Sequence, residues 1–192
     1  MTRFWWVRHG PTHAKTMAGW SDLPADLSDH SALARLSAYL PQDAVMISSD
    51  LIRAVTTADA VQANRARLPH DPMLREMHFG DWELRSHSQV EAETPDLIRA
   101  FWDSPGDVRP PNGESWNEIN ARIRSATDRL ISDFSGRNII VVAHFGAILS
   151  ALQRAESLTP QQAFSHRIDN LSVTEMAYGP GGWQLGRTNH IA

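Results

Sequence analysis

No cysteine occurs in the 192 residues, so disulfides, thiolate metal sites and a cysteine nucleophile are excluded together. Long apolar runs are missing as well. The longest, Ile139 to Ala143, falls far short of the about 20 residues that span a bilayer. Met1 to Val7 is apolar but broken by Arg3 and runs into Arg8-His9, without the long apolar segment and small-residue cleavage site of a secretory signal. Neither sign of charge prevails: the net charge is −4 and the pI about 6.1, so nucleic acid is not an expected partner. Compact ligand spacing is also absent. His13, His30, His70, His78, His87, His166 and His190 form no His-x-x-x-His or similar pattern, and no metal is expected. There is no internal repeat, coiled coil or low-complexity linker. What remains is a cytoplasmic globular protein with 42% hydrophobic and 21% charged residues, enough for one core.

Two short apolar runs decide the architecture. Phe4-Trp5-Trp6-Val7 and Ile139-Ile140-Val141-Val142-Ala143 do not alternate with polar residues, as expected of strands buried on both faces of a parallel sheet. Ala44-Val45-Met46-Ile47 is a third candidate. Helical signals follow them. Ser49 or Asp50 is a candidate cap for a helix through Leu51, Ala54, Ala58 and Val61. Ser115-Trp116-Asn117-Glu118 has the form of a capping box, with Ile119, Ile123, Ala126, Leu130 and Phe134 behind it at helical spacing until Gly136. Another helix is expected through Ile148, Leu149 and Leu152. The charged, proline-rich stretch from Arg85 to Asn112 reads as short helices and loops over one end of the sheet. Leu171 to Met176 and Trp183 to Arg187 read as strands around the turn Gly179-Pro180-Gly181-Gly182. The sum is an α/β three-layer sandwich: a mostly parallel central sheet flanked by helices, with a strand pair added late. Trp5, Trp6, Trp82, Trp116 and Trp183 are expected to be core packing.

The first strand runs directly into Arg8-His9-Gly10, and the Ile139 strand into His144-Phe145-Gly146. Ligands of open α/β sheets collect beyond the carboxyl ends of strands, so two strands would deliver a histidine each to one edge. Gly10 and Gly146 permit tight turns and close approach there. An arginine beside the first histidine points to phosphate, because guanidinium makes forked hydrogen bonds to phosphate oxygens and stays charged. Neutral imidazole is a competent nucleophile near pH 7.

These turns belong to a longer series. Arg8-His9-Gly10 is followed by Thr12; then come Ser48-Ser49-Asp50-Leu51-Ile52-Arg53-Ala54-Val55-Thr56-Thr57-Ala58, Leu74-Arg75-Glu76-Met77-His78-Phe79-Gly80-Asp81-Trp82-Glu83, Gly113-Glu114-Ser115 and His144-Phe145-Gly146. In content and order they resemble the signatures of the histidine phosphatase superfamily, the phosphoglycerate mutase-like family, and they span almost the whole chain. The resemblance implies a phosphoglycerate mutase-like fold in a single domain over residues 1–192, with a lid-like segment at about 84–114. It implies a metal-independent phosphomonoesterase of the histidine acid phosphatase type, working through phosphohistidine without a cofactor. Position by position, it makes His9 the nucleophile, Glu76 the proton donor and Arg8, Arg53 and His144 the phosphate pocket. Thr12 becomes an additional donor, and Phe145 lines the pocket.

The chain also departs from the family pattern. Phe145 stands where the first of two glycines commonly follows the second histidine, which narrows the pocket or repacks the turn. Leu84 stands where glycine often follows Trp-Glu. Lys15 lies near a position where many members have asparagine, and reads as an exposed lysine. Asp81 and Glu83 read as supporting or exposed acids, and Glu114 as part of the start of its helix. Phe101 and Trp102 are candidates to cover a substrate from the lid segment. The phosphatase branch is favoured because the 85–112 region is short and has no Arg-Arg pair. In length and motif layout the chain is similar to α-ribazole phosphatase-like proteins. The expected partner is a small phosphorylated substrate, with no nucleic acid and no membrane; the resemblance also allows a homodimer. The alternatives are a phosphoglycerate-type mutase and a catalytically weak protein that binds phosphorylated ligands.

Overall fold

The computed structural model describes residues 1–192. Its centre is a six-stranded sheet of β1 (Thr2–Arg8), β2 (Ala44–Ser48), β3 (Ala66–Arg67), β4 (Asn138–Ala143), β5 (Val173–Gly179) and β6 (Gly182–Leu185), in the order β3-β2-β4-β1-β5-β6. The pairs β2–β3, β2–β4 and β1–β4 are parallel. The late pair β5–β6 is antiparallel and extends the sheet past β1. The expected three-layer arrangement is therefore present, and β3, only two residues long, is the strand that the apolar pattern does not reveal.

Pleating explains the two cores. Successive side chains of a strand point to opposite faces. Ile139, Val141 and Ala143 join Phe4, Trp6, Val45 and Ile47 on one face, under α5 (Trp116–Asp133) and α6 (Phe145–Glu156). Ile140 and Val142 join Val7, Ala44 and Met46 on the other, under α1 (His30–Tyr39) and α2 (Ile52–Val61). Every residue from Ile139 to Ala143 is fully buried, and at about 1.5–3 kcal/mol for each large aliphatic side chain this central strand anchors both cores. Trp6, Trp82 and Trp116 are core residues, whereas Trp5 and Trp183 are only half-buried, at the β1–β5–β6 end. No helix is long and apolar enough to cross a membrane.

The box at Ser115 and Glu118 forms reciprocally: Ser115 Oγ accepts from the Glu118 amide, and the Glu118 carboxylate accepts from the Ser115 amide. The cap proposed for α2 does not form. That helix begins at Ile52 after Leu51, with no side-chain cap. Ser49 Oγ is committed to His144, Asp50 binds Arg75 through both carboxylate oxygens, and the Ile52 amide donates to Asp22 Oδ1 at 2.6 Å. A distant acid thus replaces a local one. The 84–114 stretch carries α3 (His87–Glu93) and α4 (Pro95–Asp103), held down by buried Val90, Ile98 and Phe101. The remaining helix is α7 (Pro160–Phe164).

Candidate active site

Strands β1 and β4 are adjacent and parallel, so their carboxyl ends bring His9 and His144 side by side, with ring centroids 5.1 Å apart. Both rings are buried. His9 Nδ1 donates to its neighbour's carbonyl, Gly10 O, at 2.6 Å, which leaves Nε2 as an acceptor; Arg53 Nε donates to it at 3.2 Å. The tautomer follows from these two partners. The backbone is pinned too: Asn170 Nδ2 donates to His9 O, and the Gly10 amide donates to Thr57 Oγ1. A Cβ on Gly10 would meet Leu27 Cδ2 at 2.6 Å and Asp26 O at 3.1 Å, so this turn has no room for a side chain.

Burial pushes the His9 pKa from 6.5 down to about 3, reinforced by the charge of Arg53. Burial likewise holds His144 well below the ordinary range, with the His9 and Arg53 neighbours adding to it. Both imidazoles are therefore neutral at pH 7. Ser49 Oγ accepts from the Leu51 amide and lies 2.6 Å from His144 Nε2, which fixes the ring in place. His144 Nδ1 is buried and has no partner, a polar atom left for a ligand.

The positive charge comes from two arginines that form no ion pair. Arg53 lies in the first turn of α2, buried. Its Nη1 donates to Ser21 O at 2.8 Å and its Nη2 to Gly19 O at 2.6 Å. Arg8 donates through Nη1 to Ile168 O at 2.6 Å, and its guanidinium lies 5.5 Å from the Phe145 ring centroid. Both lose some basicity to burial. The N-terminus of α6 begins directly after His144 and adds a partial positive charge.

Glu76 completes the cluster. Its carboxylate accepts from the Gly146 amide, 3.0 Å from Oε1 and 3.1 Å from Oε2, and Oε1 also accepts from the Met77 amide at 2.9 Å. A Cβ on Gly146 would sit 2.4 Å from Glu76 Oε1, so only glycine lets the α6 backbone approach this acid. The Glu76 carbonyl is held by Trp20 Nε1 at 2.7 Å and Arg122 Nη2 at 3.0 Å.

The structure thus gathers His9, His144, Arg53, Glu76, Arg8 and Phe145. Thr12 is not tied into the cluster; its one hydrogen bond is from the Ala14 amide at 3.4 Å. Lys15 is exposed, as expected. Glu83 does more than the sequence suggests: its carboxylate accepts from the amides of Gly19, Trp20, Ser21 and Phe79 and from Ser21 Oγ. It thereby shapes the loop whose carbonyls hold Arg53. Burial alone would raise the Glu83 pKa, but the Ser21 hydroxyl and the amides outweigh it and hold the carboxyl below its ordinary value. Glu114 also extends beyond the start of its helix, pairing with Arg122 and accepting from the His78 amide at 2.9 Å. Arg122 and Asn170 carried no signal in the sequence, because their contacts lie 46 and 161 residues away. Asp81 accepts from Asn112, Phe101 is buried, and Trp102 is partly exposed against Phe79 and Phe164. No group of three or more His, Asp or Glu side chains is arranged to hold a metal ion.

Comparison with known proteins agrees with this geometry. Residues 4–191 match the family model for the histidine phosphatase superfamily, branch 1. The adenosylcobalamin/α-ribazole phosphatase of Salmonella typhimurium is 29% identical over 174 residues, covering 87% of this chain and 86% of that protein. A mycobacterial glucosyl-3-phosphoglycerate phosphatase superposes with a TM-score of 0.84 at 26% identity, over 99% of each chain. The Bacillus stearothermophilus protein YhfR has the same fold, with a TM-score of 0.91 at 24% identity over 100% of this chain and 98% of its own.

Proposed function

Because the chain belongs to the histidine phosphatase superfamily, we propose that it hydrolyses a small phosphate monoester through phospho-His9. The observation that carries this reading is the acceptor nitrogen of His9, Nε2, which receives Arg53 Nε at 3.2 Å and lies beside a neutral His144, with no ion pair on that arginine. Arg8, Arg53 and His144 bind the phosphoryl oxygens, where charge spread over the transferring group is stabilised electrostatically. His9 Nε2 forms a bond to phosphorus as the bond to the alcohol oxygen breaks. Glu76 passes a proton to that oxygen. Glu76 then takes a proton from water, whose oxygen attacks phosphorus and releases phosphate and neutral His9. Acid–base help of this kind contributes about 10²–10⁴-fold. Thr12 contributes a further donor once substrate is present.

The two named phosphatases that it resembles differ in substrate, so membership of the family does not by itself identify the ester. The reading extends to one domain over residues 1–192 with the 84–114 segment as its lid, acting in the cytoplasm without metal. Phosphate release from p-nitrophenyl phosphate in EDTA, with acid-quenched protein assayed for acid-labile phosphate, tests the mechanism. His9→Ala is expected to abolish both signals, a loss of at least about 10⁴-fold. Release unchanged in His9→Ala would overturn it. Transfer between glycerate positions, stimulated by a bisphosphate, would instead make the protein a mutase.

A further inference from the structure

The phosphate end of the site is cationic, and the 84–114 segment adds no free positive charge to it. The 84–114 segment has three arginines, and each faces an acid: Arg85 pairs with Glu93 at 2.5 Å, Arg99 with Glu91 at 3.3 Å and Arg109 with Glu118 at 2.7 Å. None is left over for a carboxylate or a second phosphate on the substrate. Aromatic rings take the flanking positions. On the Arg8 side, half-buried Phe145 lies beside the guanidinium and directly follows His144. On the Glu76 side, the Phe79 ring packs against Gly19, whose carbonyl receives Arg53 and whose Cβ would lie 2.9 Å from Phe79 Cδ2. Phe79 in turn meets Trp102 of α4, with centroids 6.5 Å apart, and Trp102 stands edge-on to Phe164 at 6.0 Å. Trp102 is 38% exposed although its neighbour Phe101 is buried.

We propose, resting on the phosphomonoesterase reading above, that the alcohol portion of the substrate is planar and aromatic, carries no further acid group, and packs against Phe145 with Trp102 closing over it. Phe145 and Trp102 are then specificity residues. An aromatic face beside a phosphate cradle rewards a flat apolar alcohol, while a glycerate carboxylate would meet no free arginine from the 84–114 segment and lose hydration against the rings.

The test uses benzyl phosphate, glycerol 3-phosphate and 3-phosphoglycerate. All three release an aliphatic alcohol, so the bond-breaking chemistry is matched. Wild type is expected to show kcat/KM for benzyl phosphate at least about 10-fold above that for glycerol 3-phosphate, with 3-phosphoglycerate lowest. Phe145→Ala should reduce the benzyl-to-glycerol ratio about 10-fold, mainly through KM, and Phe145→Tyr should restore it. Trp102→Ala should reduce the same ratio by about 3-fold, and Trp102→Phe should keep most of it. A ratio unchanged in both alanine variants, or a wild type that prefers 3-phosphoglycerate, overturns the inference while leaving the hydrolase intact. Folded protein that hydrolyses none of the three esters overturns the hydrolase reading itself.

Discussion

Two arginines separated by 12 positions show how the same buried charge serves opposite ends. Arg53 and Arg65 are both almost fully buried and neither has a carboxylate partner. Arg65 spreads its donors over the carbonyls of Ser37, Leu40, Pro41, Val61 and Gln62. Those carbonyls lie in or just beyond the last turns of α1 and α2, where unsatisfied acceptors carry the negative end of the helix dipole. The charge is neutralised where it sits. Arg53 also reaches backbone carbonyls, but it starts α2, beside another arginine and the start of α6, and its Nε is directed to His9. Glu76, Asp22 and Glu83 act on it from nearby but none forms an ion pair with it, so an anion bound between it and Arg8 gains a direct partner.

Breaking each arginine should separate the two roles, with the largest effect that this comparison predicts. Arg53→Ala should lower kcat/KM about 10³-fold. Arg65→Ala should instead leave kcat/KM within about 2-fold and lower the unfolding free energy by about 3 kcal/mol, since it orphans acceptors at two helix ends. Steady-state kinetics and urea melts on both variants check the pair; equal losses of activity would collapse the distinction.

A second prediction uses the burial that, with the charge of Arg53, keeps His9 neutral. The His9 pKa is about 3 when folded and 6.5 when unfolded, so between these values the unfolded chain binds the extra proton. His9 therefore costs no stability above about pH 6.5, and stability falls as pH drops below it. From pH 7 to pH 5 its share of the loss is about 2 kcal/mol. His9→Gln should flatten the stability–pH curve by that amount in urea melts at the two pH values, whereas Arg65→Ala should not.

Ser49 sharpens the picture on the neutral side of the site. Ser49→Ala removes the hydroxyl that holds His144 Nε2 at 2.6 Å, and kcat should fall about 10-fold, with Ser49→Thr recovering most of it. The pH–rate profile should also change shape in the alanine variant, which loss of packing alone would not produce.

The smallest effect lies outside both arginine clusters. Leu84 has φ +59° and is half exposed, so it pays the left-handed backbone strain that glycine avoids. Leu84→Gly should raise stability by about 1 kcal/mol without altering kcat/KM, as measured by thermal or urea denaturation.

Much of this was legible before any coordinates. Apolar runs at β1, β2 and β4 marked the parallel sheet because strands buried on both faces cannot alternate, and the box at Ser115 and Glu118 marked α5 because its hydrogen bonds are local. α1 was not legible: its burial rests on only Leu33 and Leu36, too few for a period to stand out. The cap of α2 was misread for a related reason, since Ser49 and Asp50 are drawn away by His144 and Arg75, partners that lie at a distance in the chain.

By itself the sequence determined the central strands, the two histidine turns at their ends and the residue types needed to hold a phosphate. All of these depend on local pattern and on the chemistry of single side chains. Only the tertiary structure decided which arginine was tied to helix ends and which was turned to His9, which nitrogen of His144 was left without a partner, and that Glu83 and Arg122 hold the site in shape. Those outcomes depend on burial and on hydrogen bonds between distant segments, and a charge or a lone pair takes its meaning from what the fold sets beside it.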